Sequence, residues 1–342
     1  MSGASPSSSS NPLNSVSPET SQPAVEKWQN ITNERVEVVA GIVARHLEKN
    51  WDRDVLSAID PNTVLPFATP ILPANEAVLA RAIPGYVPPT PELLEELTEY
   101  AKATENYGTA PGEAAAVIVQ IVRALKPETA FVFGTARGRI EHLIAQESEH
   151  TEVVTIDLPT ELLDVARGKP DSNNIRYRVN IGVATDEQIG DIFRADPATA
   201  GRVHQILGDS FTLSLGSLAG TMRLVVVDGN HSLPNSLMDL ANAIGLIHPD
   251  GGIIVVDDFK KGSPLNLGVD AAVVLTNQMT GLPVLWPCPR PKEAGLQACA
   301  AVIVVPPELN RSQARDLLAG RAEAFLLDEK GRENLWDRAA RS

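Results

Sequence analysis

The chain has 342 residues and a formal net charge of −14, with 29 Lys and Arg against 43 Asp and Glu and no Lys/Arg-rich run, which argues against nucleic acid as a partner. Hydrophobic residues make up 43% and aromatics only 4%, so Ala, Val, Leu and Ile must fill the interior, as in a parallel α/β sheet. No apolar run approaches the ~20 residues that a membrane span needs, and the N-terminus lacks a basic stretch followed by an apolar one, so a cytoplasmic protein is expected.

Residues 1–23 are rich in Ser and Pro and carry a single charge, Glu19, which predicts a disordered tail. From Ala24 to Asn50, Val36, Val39, Ile42, Val43 and Leu47 recur at helical spacing. An amphipathic helix with an exposed apolar face is expected there, and that face would suit a homodimer. The Pro-punctuated stretch from Pro61 to Pro91 reads as an extended wrapping segment or a substrate-covering loop. A second helix follows over Thr90–Ala103, with Thr90 as its cap and Pro91 at its first position. Residues 24–106 therefore form a helical accessory region.

From Gly108 the pattern becomes strand and helix alternation. Gly112–Leu125 is a helix, Ala130–Gly134 the first strand, Arg139–Gln146 a helix, and Glu152–Asp157 the second strand. Val203–Asp209, Arg223–Asp228 and Ile253–Asp258 supply three more. Two final strands, Leu282–Trp286 and Ala298–Val305, are expected to form an antiparallel hairpin at the sheet edge. Seven such strands predict a doubly wound, mostly parallel Rossmann-like sheet over 107–306, followed by a C-terminal helical extension over 307–342. The only cysteines, Cys288 and Cys299, stand outside any CxxC pair or His cluster, so neither a zinc centre nor a disulfide framework is expected.

Chemistry gathers at the strand ends. Asp228 closes one strand, Asp257 with Asp258 the next, and a βαβ crossover puts successive strand ends on one edge. Open α/β sheets bind ligands at that edge. Gly134-Thr-Ala-Arg-Gly138 turns from the first strand into a helix, and Asp157 ends the second strand, where an acid can accept both hydroxyls of a ribose. The glycine spacing departs from GxGxxG, with Ala136 and Arg139 at the second and third positions. A pyrophosphate would find no close backbone there, whereas a nucleoside without a diphosphate fits better. His231 lies three residues beyond Asp228 and is placed to take a proton or orient a substrate. Asp239 is expected to face solvent or tether a loop, His204 to be structural, and His248 to occupy a turn.

The ordered set TAFVFGTARG, VVTIDLP, RVHQILGDS, LVVVDGNHS and HPDGGIIVVDDF resembles the class I S-adenosylmethionine-dependent methyltransferases, most closely the small-molecule branch with a DGxHxY element. The resemblance covers about Tyr107 to Val305. It implies that Gly134, Thr135 and Gly138 line the methionine part of the cofactor, Asp157 the ribose, and Asp209 with Ser210 the adenine edge. Tyr107, in YGTAPGE, would belong to the segment that closes over the cofactor. It also implies a Mg²⁺ site at Asp228, Asp257 and Asp258, since hard carboxylate oxygens suit that ion and it would make a substrate hydroxyl more acidic. Two positions depart from the family: Val132 stands where an acid is common, and Leu233 where DGxHxY has its aromatic. The expected activity is methyl transfer to a hydroxyl of a small metabolite, with N-methylation on the same fold as a variant. A methyltransferase-like scaffold that has lost catalysis is the main alternative. A nicotinamide-dependent oxidoreductase is disfavoured by the glycine spacing and by the lack of a Tyr-x-x-x-Lys pair.

Overall fold

The computed structural model describes residues 18–50, 72–73, 79–80, 82–103, 112–162, 185–259, 267–287 and 299–327. Alternation of apolar residues along the central strands decides the layering. Phe131, Phe133, Val225, Val227, Ile254, Val256 and Ile303 point to one face of the sheet. Their neighbours Ala130, Val132, Leu224, Val226, Ile253, Val255 and Val302 point to the other. Both sets are buried, so each strand reads as a continuous apolar run and each face must be covered by helices.

The strands are β1 (Leu72–Pro73), β2 (Thr129–Phe133), β3 (Glu152–Asp157), β4 (Val203–Leu207), β5 (Leu224–Val227), β6 (Gly252–Phe259), β7 (Val284–Trp286) and β8 (Cys299–Val305). Their order is β1-β7-β8-β6-β5-β2-β3-β4. The pairs from β6 through β5, β2 and β3 to β4 are parallel, while β8 runs antiparallel to both β6 and β7. The seven expected strands and the antiparallel edge hairpin are thus present. Leu72–Pro73, inside the stretch expected to wrap loosely, adds a short eighth strand that pairs with β7 in parallel. A proline is tolerated there because the strand lies at the sheet edge.

One face carries α1 (Pro18–Asn50), and the other carries α2 (Pro91–Ala103), α3 (Gly112–Leu125) and α4 (Arg139–Glu147). Two short helices, α5 (Asp191–Ala195) and α6 (Pro197–Ala200), lead into β4. The first face is completed by α7 (Leu233–Leu246), α8 (Leu267–Thr280) and α9 (Arg311–Leu327), with α9 lying along α7. Three expectations change here. The helix α1 begins at Pro18 instead of Ala24, because Ser17-Pro18-Glu19 is a helix-start sequence with proline at its first position. Its apolar face is not exposed: Val36, Val39 and Val43 are at most 1% exposed and pack against the chain's own core. The C-terminal extension is helical over Arg311–Leu327 and buries Ala314, Leu318 and Ala322; its expected continuation to Arg341 lies outside the described residues, as does the tail over 1–17.

Along the chain, β2 to β4 wind toward one edge, while β5 and β6 lie on the other side of β2. The reversal of direction falls between β2 and β5, and such a switch point opens a crevice at the carboxyl ends of the strands. Gly134 and Asp228 stand on either side of it.

Candidate active site at the carboxyl edge of the sheet

The turn after β2 is held by the chain's own groups. Gly134 has φ 88, and a Cβ there would lie 2.1 Å from the carbonyl oxygen of Asp228. Gly138 has φ 85, and a Cβ there would meet the Phe193 ring at 2.4 Å. Both positions thus demand glycine for internal packing, before any ligand is considered. Between them Ala136 adopts φ 44, a left-handed conformation that L-residues avoid. The turn is clamped from outside: Gly190 N–H donates to the Ala136 carbonyl at 2.8 Å, Ile192 N–H to that of Arg137 at 3.0 Å, and Arg137 forms a two-pronged pair with Asp191.

Asp157 ends β3 directly beside this turn. Its Oδ2 accepts the Ala136 N–H at 2.6 Å and its Oδ1 the Leu158 N–H at 2.7 Å. Burial raises its pKa and the backbone N–H groups pull it back. Each carboxylate oxygen retains a second lone pair, so the pair of hydroxyls of a ribose can still be received. Below the turn runs a chain of hydroxyls that the sequence did not disclose. Thr135 Oγ1 meets Thr155 Oγ1 at 2.7 Å, and Thr155 donates to Glu141 Oε1. Glu141 is fully buried, and burial pushes its pKa up to about 8. The signal available was a Thr at an inward position of β3 facing an acid one turn into α4.

At the end of β4, Asp209 Oδ1 caps a short turn through the Phe211 N–H at 2.9 Å. From α7, Asn242 Nδ2 donates to the Ser210 carbonyl at 3.0 Å. Thr32 of α1 donates to the Leu207 carbonyl at 2.9 Å, and Glu161, after β3, accepts from both Lys27 and Trp28. The accessory helix therefore flanks the Asp157 and Asp209 side of the crevice.

The loop after β5 and the end of β6 bring together Asp228, His231 and Asp258. One ligand atom from each lies within 4.8 Å of the others, and His231 Nε2 is 3.2 Å from Asp258 Oδ2. Asp258 holds φ 59, a strained geometry that aspartate tolerates better than most residues. Asp257 turns inward and is 2% exposed. Burial, and then its neighbour Asp258, raise its pKa to about 7. Asp228 is likewise raised well above the usual carboxylate range, by burial first and then by Asp257 and Asp258, with Arg139 opposing. Arg139 is itself 1% exposed and provides counter-charge beneath the acids. A cavity with room for about one water lies among Asp228, Asn230, His231, Ser236 and Asp257.

Of the other expected residues, Tyr107 lies outside the described residues. Val132 and Leu233 pack into the core on opposite faces. His204 pairs with Glu152 at 2.6 Å, and His248 accepts the Asp250 N–H in its turn at 3.0 Å. Of the two alternatives for Asp239, the solvent-facing one is overturned, since it is 1% exposed on α7, whereas a loop contact is present through the Ser210 side chain. Asp239 lies on a helix that is buried without interruption from Leu233 to Ile244.

A doubly wound sheet with an acid ending β3 and an acid–imidazole group across the switch point gives the chain a Rossmann-like architecture. Residues 106–259 match the family model described as a methyltransferase domain. Among solved structures, the chain is similar to the cofactor-bound Rv0187 from MTB, at 17% identity and TM-score 0.42, covering 70% of this chain and 99% of that one. It is similar to the O-methyltransferase TomG from Streptomyces achromogenes, in complex with SAM, at 14% identity and TM-score 0.41, covering 68% and 95%. It is also similar to the O-methyltransferase from Bacillus cereus, in complex with SAH, at 16% identity and TM-score 0.38, covering 67% and 96%. Comparison with curated proteins gives no match. Among the described residues, no helix is long and apolar enough to cross a membrane.

Proposed function

We propose that the protein is an S-adenosylmethionine-dependent O-methyltransferase acting on a hydroxyl of a small molecule. The observation that carries this reading is the meeting of Asp228, His231 and Asp258 across the switch point from the Asp157-bearing turn. Fit to the cofactor is electrostatic as well as geometric. Asp157, Asp228, Asp257 and Glu141 all lie at this edge with burial raising their pKa values, an environment that favours a cationic ligand and rejects a diphosphate.

When bound, S-adenosylmethionine supplies a methyl group already activated by a sulfonium charge. The chain's task is to align and deprotonate the acceptor. His231 directs Nε2 to Asp258, which fixes the ring and leaves Nδ1 as the base for the substrate hydroxyl. Asp228 and Asp258 stabilise the imidazolium that results. The same three side chains fit a divalent cation: two carboxylates provide hard oxygens, and the imidazole nitrogen favours a transition metal over Mg²⁺. A cation held there would lower the pKa of a coordinated hydroxyl. Asp257 is the neighbour that supports this group from inside.

Val132 and Leu233, the departures that suggested a scaffold, are explained by core packing. The test is calorimetric titration with S-adenosylhomocysteine for the natural chain and for Asp157→Ala, followed by methyl transfer to a panel of phenols and catechols with Mg²⁺ or with a chelator. Micromolar binding abolished by Asp157→Ala, with turnover on a hydroxylated acceptor that His231→Ala removes, is expected. Absence of binding in the natural chain would overturn the proposal.

A further inference from the structure

Parallel strands are joined by crossovers that usually carry an α-helix, and that helix covers one face of the sheet. The crossover from β4 to β5 has none. Here β4 stands at the sheet edge, separated from β5 by β2 and β3. The described residues between the two strands, 208–223, hold two short 3₁₀ turns, Ser210–Thr212 and Gly216–Leu218, and no α-helix. Val154, Ile156 and Ile206, on the face left bare, are covered instead from the far end of the chain, by Val36, Val39 and Val43 of α1. The contact is keyed at the carboxyl edge of the sheet. Thr32 of α1 is buried and fills the space beside Gly208: a Cβ on that glycine would lie 2.6 Å from Thr32 Cγ2 and overlap its hydroxyl. The Gly208 N–H donates to the Asp157 carbonyl at 2.8 Å, so this residue joins the acid that ends β3 to Asp209. Thr32 Oγ1 shares its proton between the Trp28 and Leu207 carbonyls, at 2.6 and 2.9 Å. Arg35 Nε donates to the Gln205 carbonyl at 3.0 Å and Gln29 Nε2 to that of Thr212 at 3.0 Å. Side chains of one helix thus hold the backbone on both sides of Asp209.

We propose that α1 stands in for the absent crossover helix and is a working part of the cofactor site, with Thr32 as the positioning residue that sets Asp157 against Asp209 through Gly208. The inference rests on the cofactor reading above and adds to that site an element from outside residues 106–259, the part of the chain matched as a methyltransferase domain. A ligand held between Asp157 and Asp209 favours the docked helix, and by linkage the docked helix favours the ligand by the same factor. A site assembled for only part of the time has a correspondingly weaker apparent affinity, so loosening α1 weakens binding without any loss of a ligand contact.

Trypsin cleavage of the natural chain at Lys27 and Arg35 reads the opening of α1, and cleavage at Arg321 on α9 reads opening elsewhere. Saturating S-adenosylhomocysteine should slow the cuts in α1 at least about fivefold more than the cut at Arg321. Calorimetry then tests the key itself. Gly208→Ala, which drives a Cβ into Thr32, should weaken S-adenosylhomocysteine by about tenfold or more, and adding Thr32→Ala, which reopens the space, should restore affinity to within about threefold of the natural chain. Near-ultraviolet circular dichroism identifies the folded variants, and proteolysis of the natural chain decides if Gly208→Ala does not fold. Equal slowing at all three cuts overturns the proposal and leaves the cofactor reading standing. So does a folded Gly208→Ala chain that binds like the natural one, or a loss that Thr32→Ala does not restore, which would put the added methyl against the ligand itself. If the natural chain does not bind S-adenosylhomocysteine, the cofactor reading falls and this assignment falls with it.

Discussion

Ala136 shows how a single backbone angle ties the turn after β2 to its neighbours. With φ 44 it bears the steric cost of a Cβ in a left-handed conformation, about 1 kcal/mol or more, while its N–H is committed to Asp157. Glycine at this position would relieve that strain but would enlarge the unfolded ensemble, a loss of about 0.4–1 kcal/mol. Ala136→Gly should therefore raise stability by no more than about 0.5 kcal/mol, read from urea unfolding; a loss above 1 kcal/mol would show that the angle costs nothing. Gly134→Ala should behave oppositely. Its Cβ would collide with the backbone of Asp228 and not with a movable side chain, so a loss beyond about 4 kcal/mol is expected, together with failure to bind S-adenosylhomocysteine. At this scale the sequence was legible where chemistry follows chain position. The strand ends at Asp157, Asp228 and Asp258 could be read directly, because an apolar run that stops at an acid marks the edge of a sheet. Glu141, Arg139 and Asp239 could not, because helical periodicity does not say which polar residue on a helix faces a strand or a neighbouring loop.

The helix α1 was readable as an element but not as a contact. Its apolar spacing predicts a buried face, and nothing in that spacing says whether a partner copy or the chain's own sheet covers it. The structure answers with β4 and the turn at Gly216–Leu218, where Val36, Val39, Ala40 and Val43 join the core. Glu37 adds a bond from the Ser217 hydroxyl at 2.8 Å. The decisive substitution is Val39→Asp. A fully buried carboxylate without a partner should cost more than about 4 kcal/mol and release the helix, exposing Arg35 and Arg45 to rapid trypsin cleavage. If α1 were instead an interface between copies, the same change would alter the sedimentation coefficient and leave the unfolding midpoint in place. The exposed pair between Lys27 and Glu161 contributes little by comparison, so Glu161→Gln should leave stability within about 0.5 kcal/mol of the natural chain.

Across the whole molecule, an acidic chain has concentrated buried carboxyl groups at one edge of its sheet, and this makes stability depend on pH in an unusual direction. Glu141 is raised to about 8, and Asp239 and Asp257 to about 7, in each case chiefly by burial. In the unfolded chain these groups ionise near pH 4, so between about pH 4 and 8 the folded state holds more protons than the unfolded one. The stabilisation is complete below the unfolded pKa and is lost as pH rises through the folded values. Each such group can contribute a slope of up to about 1.4 kcal/mol per pH unit inside its window. Carboxylates with lowered pKa values, such as Glu161, act in the other direction, but they are exposed and weak. Stability measured by urea unfolding should therefore fall from pH 6 to pH 8.5. Glu141→Gln keeps an acceptor for the Thr155 hydroxyl while removing the ionisable group, so its profile should be flatter and should overtake the natural chain above about pH 8. An identical slope in the two proteins would assign the pH dependence elsewhere. A site that tolerates this many buried acids lowers its own stability near neutrality, and a cationic ligand would recover part of that loss by favouring the ionised forms. S-adenosylmethionine should accordingly raise the unfolding midpoint more at pH 8.5 than at pH 6, and more than S-adenosylhomocysteine, which lacks the sulfonium charge, at equal saturation.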